Sequence, residues 1–321
     1  MRGLGNFART FWHAGAVLTL LGLGACTVQP PAPEPVPPEP VEAIVIPEPV
    51  EPPPPQPKPV VAQSPGSPPL AIVLTSSQPA YLDVAAELAA YFDDHRVYDL
   101  SAESLPPVAV LRSINDSRAT AVVAIGLQAA LSAVALADVP VVFCQVFNHQ
   151  DYDLLNARSR GVSALAPPEA QLAAWKKLNP ELKRIGLIIG AGHDALIADA
   201  TTAAGRHGIE LQVQVAHSDQ ETLYLFRRLI RDIDGFWLLP DNRILSTRVL
   251  QQMLDEARRH GIEFAVPSDA MLPMGATVSF SSVAADIAAK VNSILAQVQA
   301  GRIASVPPMS ELTEVRVLRN D

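Results

Sequence analysis

Residues 232–269 read DIDGFWLLPDNRILSTRVLQQMLDEARRHGIEFAVPSD, and the order of apolar runs and turns in this stretch decides the fold. Gly235-Phe236-Trp237-Leu238-Leu239 is too short for a globular helix and suits a buried strand. The turn Pro240-Asp241-Asn242 ends it. A helical period follows, carried by Ile244, Val249, Leu250, Met253, Leu254 and Ala257, and His260-Gly261 closes it. A second apolar run, residues 262–266, ends in Pro267-Ser268-Asp269. Strand, helix, strand makes two parallel neighbours through a right-handed crossover. Ligands of such sheets sit at the carboxyl ends of the strands, and here both of those ends carry small polar side chains.

Working outward, the same rhythm repeats. Upstream, apolar runs at 70–74, 97–100, 121–125 and 140–143 alternate with helical periods at 80–92, 105–114 and 128–136. Residues 148–160 break the pattern; they are polar and without a clean period. After Gly161-Val162-Ser163 the cycle resumes with helix 168–178, strand 184–189, helix 195–207, strand 209–215 and helix 220–230. Beyond the opening stretch come strand 276–280, helix 284–300 and an extended 314–318. Short apolar runs alternating with helices of this length predict two doubly wound α/β lobes with parallel sheets. The first lobe is expected over residues 70–160 and the second over 161–275, with 276–321 free to return to the first.

The chain has 321 residues, 49% of them hydrophobic and 18% charged, enough for two ordinary domains. A net charge of -9 argues against a nucleic-acid partner, which would need basic patches. The N-terminus reads as an export signal over residues 1–25. Arg2 and Arg9 precede an apolar run at 14–24 that is too short to span a bilayer. The run ends Leu23-Gly24-Ala25-Cys26, which resembles the bacterial lipobox and implies a lipid anchor on Cys26. The alternative is an ordinary signal peptide with an incidental cysteine. In lipoproteins of this kind, Thr27 in place of Asp implies sorting to the outer membrane rather than the inner. Cys144 then lacks an intramolecular partner for a disulfide.

Residues 26–69 form the linker. Between residues 28 and 69 lie 18 of the 30 prolines, interleaved with Glu34, Glu39, Glu42, Glu48 and Glu51. Such a composition cannot build a core and is expected to be a disordered, extended tether. At about 3.1 Å per residue it reaches on the order of 120 Å. It serves either as a spacer from the membrane or as a proline-rich ligand for another envelope protein.

Several side chains are candidates for contact with a small-molecule ligand. Thr75, Ser76, Ser77 and Gln128 stand at helix N-termini of the first lobe, whose free N–H groups suit a carboxylate. Gln145 follows the fourth strand. Asp241 and Asp269 stand at adjacent strand ends of the second lobe and are placed to hold an ammonium group. Asn242 beside Asp241, and His193 in the turn after strand 184–189, complete the polar set. Phe147, Tyr81 or Trp237 can supply an apolar wall. The plainer reading makes Ser76, Ser77, Asp241 and Asp269 helix N-caps and Trp237 core. Cys144 reads as a small buried thiol.

Gly190-Ala191-Gly192-His193-Asp194-Ala195 fits a dinucleotide fingerprint after a strand. The next strand ends in Ala216-His217, with no acidic residue for a ribose hydroxyl. The seven histidines lack metal-ligand spacing, and no nucleophile elbow or triad can be assigned. Neither catalysis nor a cofactor is expected.

The order of motifs over residues 70–318 resembles the substrate-binding proteins of ABC transporters. The likeness is to the type I periplasmic-binding group with tryptophan- and tyrosine-associated members. It is carried by Ala124-Ile125-Gly126, Val139-Pro140-Val141-Val142-Phe143 and Gly161-Val162-Ser163. Leu178-Asn179-Pro180 with Lys183-Arg184-Ile185-Gly186, and above all Leu239-Pro240-Asp241-Asn242, add to it. The resemblance implies two lobes closing over a small ligand without covalent chemistry, and an inner-membrane ABC permease as partner. Where such proteins carry Tyr or Asn with proline after the strand at 184–189, this chain has Gly190-Ala191-Gly192-His193. Where they offer Thr or Ser after Gly126, it has Leu127-Gln128. Two functions remain open: a receptor feeding an ABC-type uptake system, and a tethered ligand-sensing or envelope-interaction module of the same fold.

Overall fold

Apolar pentapeptides such as Leu70–Leu74 and Ala121–Ile125 are buried along their whole length, which requires cover on both faces of a sheet. The computed structural model describes residues 69–102 and 106–320 and supplies that cover. The expected signal, the lipidated Cys26 and all but the last residue of the proline-rich linker lie outside the described residues.

The first sheet is built from β1 (Leu70–Leu74), β2 (His95–Asp99), β3 (Ala121–Ile125), β4 (Val141–Cys144) and β5 (Ser159–Val162). Between them run α1 (Pro79–Ala89), α2 (Pro107–Asn115) and α3 (Leu127–Leu136). The second sheet takes β6 (Arg184–Ile189), β7 (Glu210–Val215), β8 (Gly235–Trp237), β9 (Glu263–Val266) and β10 (Val278–Ser281). Its helices are α4 (Pro168–Leu178), α5 (Asp194–Arg206), α6 (Asp219–Leu229) and α7 (Thr247–His260). The chain then forms α8 (Ala284–Gln299), β11 (Met309–Ser310) and β12 (Arg316–Arg319).

Strand order is β2-β1-β3-β4-β5-β11 in one sheet and β7-β6-β8-β9-β10-β12 in the other. Every pairing is parallel except β10 with β12. The opening strand–helix–strand unit pairs as its pattern requires, Gly235 opposite Glu263 and Trp237 opposite Ala265. These are two doubly wound lobes of the type I periplasmic-binding kind.

Alternation along β1 sorts the first core. Leu70, Ile72 and Leu74 pack with α1 and α8 on one face. Ala71 and Val73 pack with α2 and α3 on the other. In the second lobe Phe226 of α6 packs against Phe236 and Phe264 of the sheet, edge-on to Phe236 at 4.9 Å, with α7 on the same face. Trp175 and Trp237 fill the opposite face with α4 and α5. Trp237 is core, its indole N–H donating to Gln171 Oε1 at 3.0 Å.

The chain passes between the lobes three times, at 163–167, 282–283 and 311–315. Hence α8 and β11 lie with the first sheet, whereas β10 and β12 lie with the second. The polar segment at 148–160 holds a 3-10 turn, His149–Tyr152, and runs into β5. Gly161 and Val162 are therefore first-sheet residues, and the chain leaves that sheet only after Val162. Periodicity could not reveal β5, because its buried residues include Ser159 and Arg160. Loop carbonyls satisfy them instead. Ser159 Oγ donates to Leu154 O at 2.6 Å, and the Arg160 guanidinium donates to the carbonyls of Asn156, Ser159, Ile303 and Val306.

Candidate functional site

In each sheet the winding reverses once. β1 leads to a helix on one face and β3 to a helix on the other; β6 and β8 do the same in the second lobe. Backbone ends diverge at such points and leave a crevice, the usual ligand position in these sheets. Residues after β1 and β3 are Thr75 and Gly126; those after β6 and β8 are Gly190 and the turn bearing Asp241.

In the first lobe Thr75 Oγ1 accepts from Ala129 N–H at 3.0 Å, so it caps α3 from the neighbouring strand. Gly126, at φ +86°, is needed there, since a Cβ would stand 2.7 Å from Thr75 Oγ1 and 2.8 Å from the Tyr81 ring. Tyr81 thus lies directly over the turn. Burial, then the neighbouring Cys144, push its phenol above the ordinary value. Ser76 Oγ is buried and has no hydrogen-bond partner among the described residues. Ser77 Oγ donates to the Asp99 carboxylate, which also accepts from Ser101 N and Oγ. These bonds, that from Ser77 foremost, hold Asp99 below the usual carboxylate range. Neither Ser76 nor Ser77 caps α1, whose cap position is Gln78. Gln145 sits at φ 59° and donates from Nε2 to Ser282 Oγ at 3.3 Å, reaching the second passage between lobes. Gln128 is exposed.

The second lobe contributes a denser constellation. Asp241 is 2% exposed, yet its carboxylate is saturated. Oδ1 accepts from Asn148 Nδ2 at 3.0 Å and from Arg243 N and Nε at 3.2 and 2.9 Å; Oδ2 accepts from Gly190 N at 3.0 Å and Arg243 Nη2 at 2.7 Å. Burial pushes this carboxyl up, but the bonds from Arg243, Gly190 and Asn148 outweigh it and hold it below the usual range. Arg243 also reaches the first lobe, where Nη1 meets Asp151 Oδ2 at 2.6 Å.

His193 is buried, and its ring stacks on Phe147 at a centroid distance of 4.8 Å. Its Nε2 lies 3.0 Å from Asn148 Oδ1 and 2.8 Å from Arg243 Nη2. It can donate to the former or accept from the latter, and a neutral imidazole serves either role. Burial first, and then the guanidinium, depress its pKa. Phe147, Asn148 and Asp151 of one lobe are thus locked to His193, Asp241 and Arg243 of the other.

Asp241 and Asp269, both expected to hold a ligand ammonium, each carry protein partners in this arrangement. Asp269 accepts from Ser279 and Ser281 at 2.5 and 2.9 Å and pairs with Arg316 at 3.1 Å. Neither aspartate caps a helix with its side chain; α7 is capped by Ser246, which accepts from Val249 N at 3.3 Å. Asn242 is exposed. Asn148, Asp151, Asp99 and Arg243 were not among the expected residues. Only Arg243 carried a signal, as a cation two residues past Asp241.

The Gly190 turn is no phosphate cradle, because its N–H is bound to Asp241 and a Cβ there would stand 2.7 Å from both Asp241 Oδ2 and Arg243 Nη2. Burial pushes the Cys144 thiol up to about 12, so it is no nucleophile near neutral pH. Among the described residues no group of three or more His, Cys, Asp or Glu is placed to hold a metal.

A cavity of about 210 Å³ adjoins this cluster, lined by Phe147, His149, Ser163, His193 and Leu196 among others. A larger one of about 440 Å³, lined by Leu70, Phe92, Thr120, Pro140, Leu295 and Val298, lies at the amino ends of the first-sheet strands. Ligands of doubly wound sheets bind at the opposite ends, and the side chains of the larger cavity offer little polar chemistry.

The comparisons agree with this architecture. A conserved domain protein from Vibrio cholerae aligns at 17% identity and TM-score 0.54, over 79% of this chain and 92% of its own. An ABC domain from Streptococcus pneumoniae, solved in complex with L-Trp, aligns at 16% identity and TM-score 0.55 over the same shares. The ligand-free, open form of a substrate-binding protein with adhesive properties from Clostridium difficile aligns at 14% identity and TM-score 0.60, again over 79% and 92%. At such identities the likeness establishes the fold. No curated protein matches the sequence. The family model of the ABC transporter substrate-binding proteins, however, matches residues 98–320, well over half of the chain, and to that family the chain belongs.

Proposed function

We propose that this chain is the solute-binding component of an ABC-type uptake system, holding a small ligand between its two lobes. The observation that carries the reading is that each sheet has its topological switch point at the carboxyl ends of its strands, and that the segment after β4 meets the second lobe's switch point through Asn148 on Asp241 and Phe147 on His193. On the first-lobe side the half-buried Tyr81 ring, packed over Gly126, supplies aromatic surface, and Ser76 Oγ is a buried hydroxyl without a partner among the described residues. Binding there involves no covalent step. A lipid on Cys26 would tether the protein to the periplasmic face of a membrane, the outer one by the sorting rule, with the proline-rich stretch as spacer and an ABC permease as the receiving partner.

A thermal-shift screen of the full mature chain against amino acids, small carboxylates and purines tests the reading. L-Trp belongs in the panel because the S. pneumoniae structure holds it. A ligand at a hundred times its Kd stabilises by about 2.7 kcal/mol, worth several degrees in a chain of this size. A shift that Tyr81→Ala abolishes supports the cleft. A binder whose shift survives both Tyr81→Ala and Ser76→Val places its site elsewhere. For the anchor, Cys26→Ala is expected to move the protein from the membrane to the soluble fraction.

A further inference from the structure

The cation that joins Asp241 of one lobe to Asp151 of the other belongs to the chain itself. We propose that Arg243 is a resident counter-ion that sets the cleft's specificity. By occupying Asp241 and Asp151 together, it excludes solutes that bind through an ammonium or guanidinium group and selects uncharged polar or aromatic ones. This rests on the cleft being the solute site and names the class of ligand it takes.

Three observations converge. First, a buried carboxylate at a strand end is the natural receptor for a cationic ligand, and Asp241 is the most buried carboxylate at the switch points. All its acceptor capacity is spent on Asn148, Gly190 and Arg243. An incoming ammonium would have to displace a fork-on-carboxylate pair, a strong and geometrically specific contact. Second, the local sequence is shaped for that pair. Gly190 leaves room for the guanidinium and carboxylate where any Cβ would meet both at 2.7 Å. Third, Arg243 does what a bound cation would do, joining Asp241 of one lobe to Asp151 of the other at 2.6 Å. Asp269, the other second-lobe carboxylate in the expected site, likewise pairs with a cation of the chain, Arg316 at 3.1 Å. The one buried side-chain polar atom without a partner among the described residues, Ser76 Oγ at the end of β1, is uncharged.

The test replaces the resident cation with an added one. Ethylguanidinium at millimolar concentration is expected to leave the melting temperature of the wild-type chain unchanged. Arg243→Ala melts lower, and the same cation raises its melting temperature saturably by several degrees. The double variant Arg243→Ala/Asp241→Asn melts without any response. Should Arg243→Ala be recovered unfolded, refolding it with and without the cation is the same test: folded protein only with ethylguanidinium supports the proposal, and none in either case overturns it. A saturable rise in the wild type would show the aspartates open to external cations and would overturn it too. So would a folded Arg243→Ala that ignores the cation. A solute panel with no binder but a positive rescue would sink the receptor reading while leaving Arg243 as the resident counter-ion. An amino acid that binds the wild type and loses affinity tenfold or more in Asp241→Asn would sink the role of Arg243 and leave the receptor standing.

Discussion

His193, Asn148, Asp241 and Arg243 show how little room a buried polar cluster leaves for substitution. Gly190→Ala would drive a methyl against both members of the central ion pair. It is expected to cost about 1–3 kcal/mol in chemical denaturation, the usual range for overpacking; an unchanged midpoint would mean that the pair tolerates a shift. His193 predicts a pH dependence. The imidazole faces Arg243, Asp241, Asn148, Asp151 and Asp194, with His149 nearby, and burial first among these influences keeps it neutral. The unfolded chain binds a proton near the ordinary value of 6.5, whereas folded His193 does so only at lower pH. Its contribution to stability is therefore complete above about 6.5 and is lost as the pH falls toward the folded value. Melting curves should show the wild type losing stability as the pH falls below 6.5 more steeply than His193→Gln. Parallel curves would remove His193 as the cause.

At the level of elements, α7 is the clearest case of local chemistry agreeing with the fold. Ser246 caps it, Gly261 closes it in the left-handed region, and Val249, Leu250, Met253, Leu254 and Ala257 form its buried stripe. Arg258, Arg259 and His260 stand in its last turn, where cations suit the helix dipole. Ser246→Ala should cost about 1 kcal/mol, read by urea denaturation. The loss includes the bond from Ser246 Oγ to Asp219, at 2.8 Å, which ties α7 to the start of α6. β5 is the opposite case, a strand that exists because carbonyls from two other segments hold Arg160. Nothing in its four residues, Ser-Arg-Gly-Val, announces a strand.

For the whole molecule the three passages between lobes decide what can move. Asp286, in the first turn of α8, holds the third passage by accepting from Thr313 N at 2.6 Å, Thr313 Oγ1 at 3.0 Å and Glu314 N at 3.0 Å. Burial raises this carboxyl, but the bonds to Thr313 and Glu314 prevail and leave it below the usual range. Asp286→Ala removes the acceptor from two backbone N–H groups, a loss of about 1–3 kcal/mol. Faster amide exchange at Thr313 and Glu314, with protection in β6 and β8 unchanged, is the expected signature. Uniformly faster exchange would point to global destabilisation instead. The cluster around Arg243 acts on the same scale, since Phe147 on His193 and Asp151 on Arg243 join the lobes across the cleft.

The sequence by itself determined the lobes, because apolar runs of five residues suit strands covered on both faces, and the helical periods between such runs impose the crossovers of a parallel sheet. It placed Thr75, Asp241, His193 and Phe147 at strand ends for the same reason. What only the tertiary structure decided is which of these side chains are spent on each other. Asp241 reads in the sequence as a free carboxylate for a ligand, yet Asn148 lies 93 residues away along the chain and Gly190 lies 51 away, and both bind it. The polar strand β5 and the division of the last residues between the two sheets were hidden likewise. Hydrophobic period reports burial against a local face, whereas hydrogen bonds and ion pairs between distant segments leave no period to read.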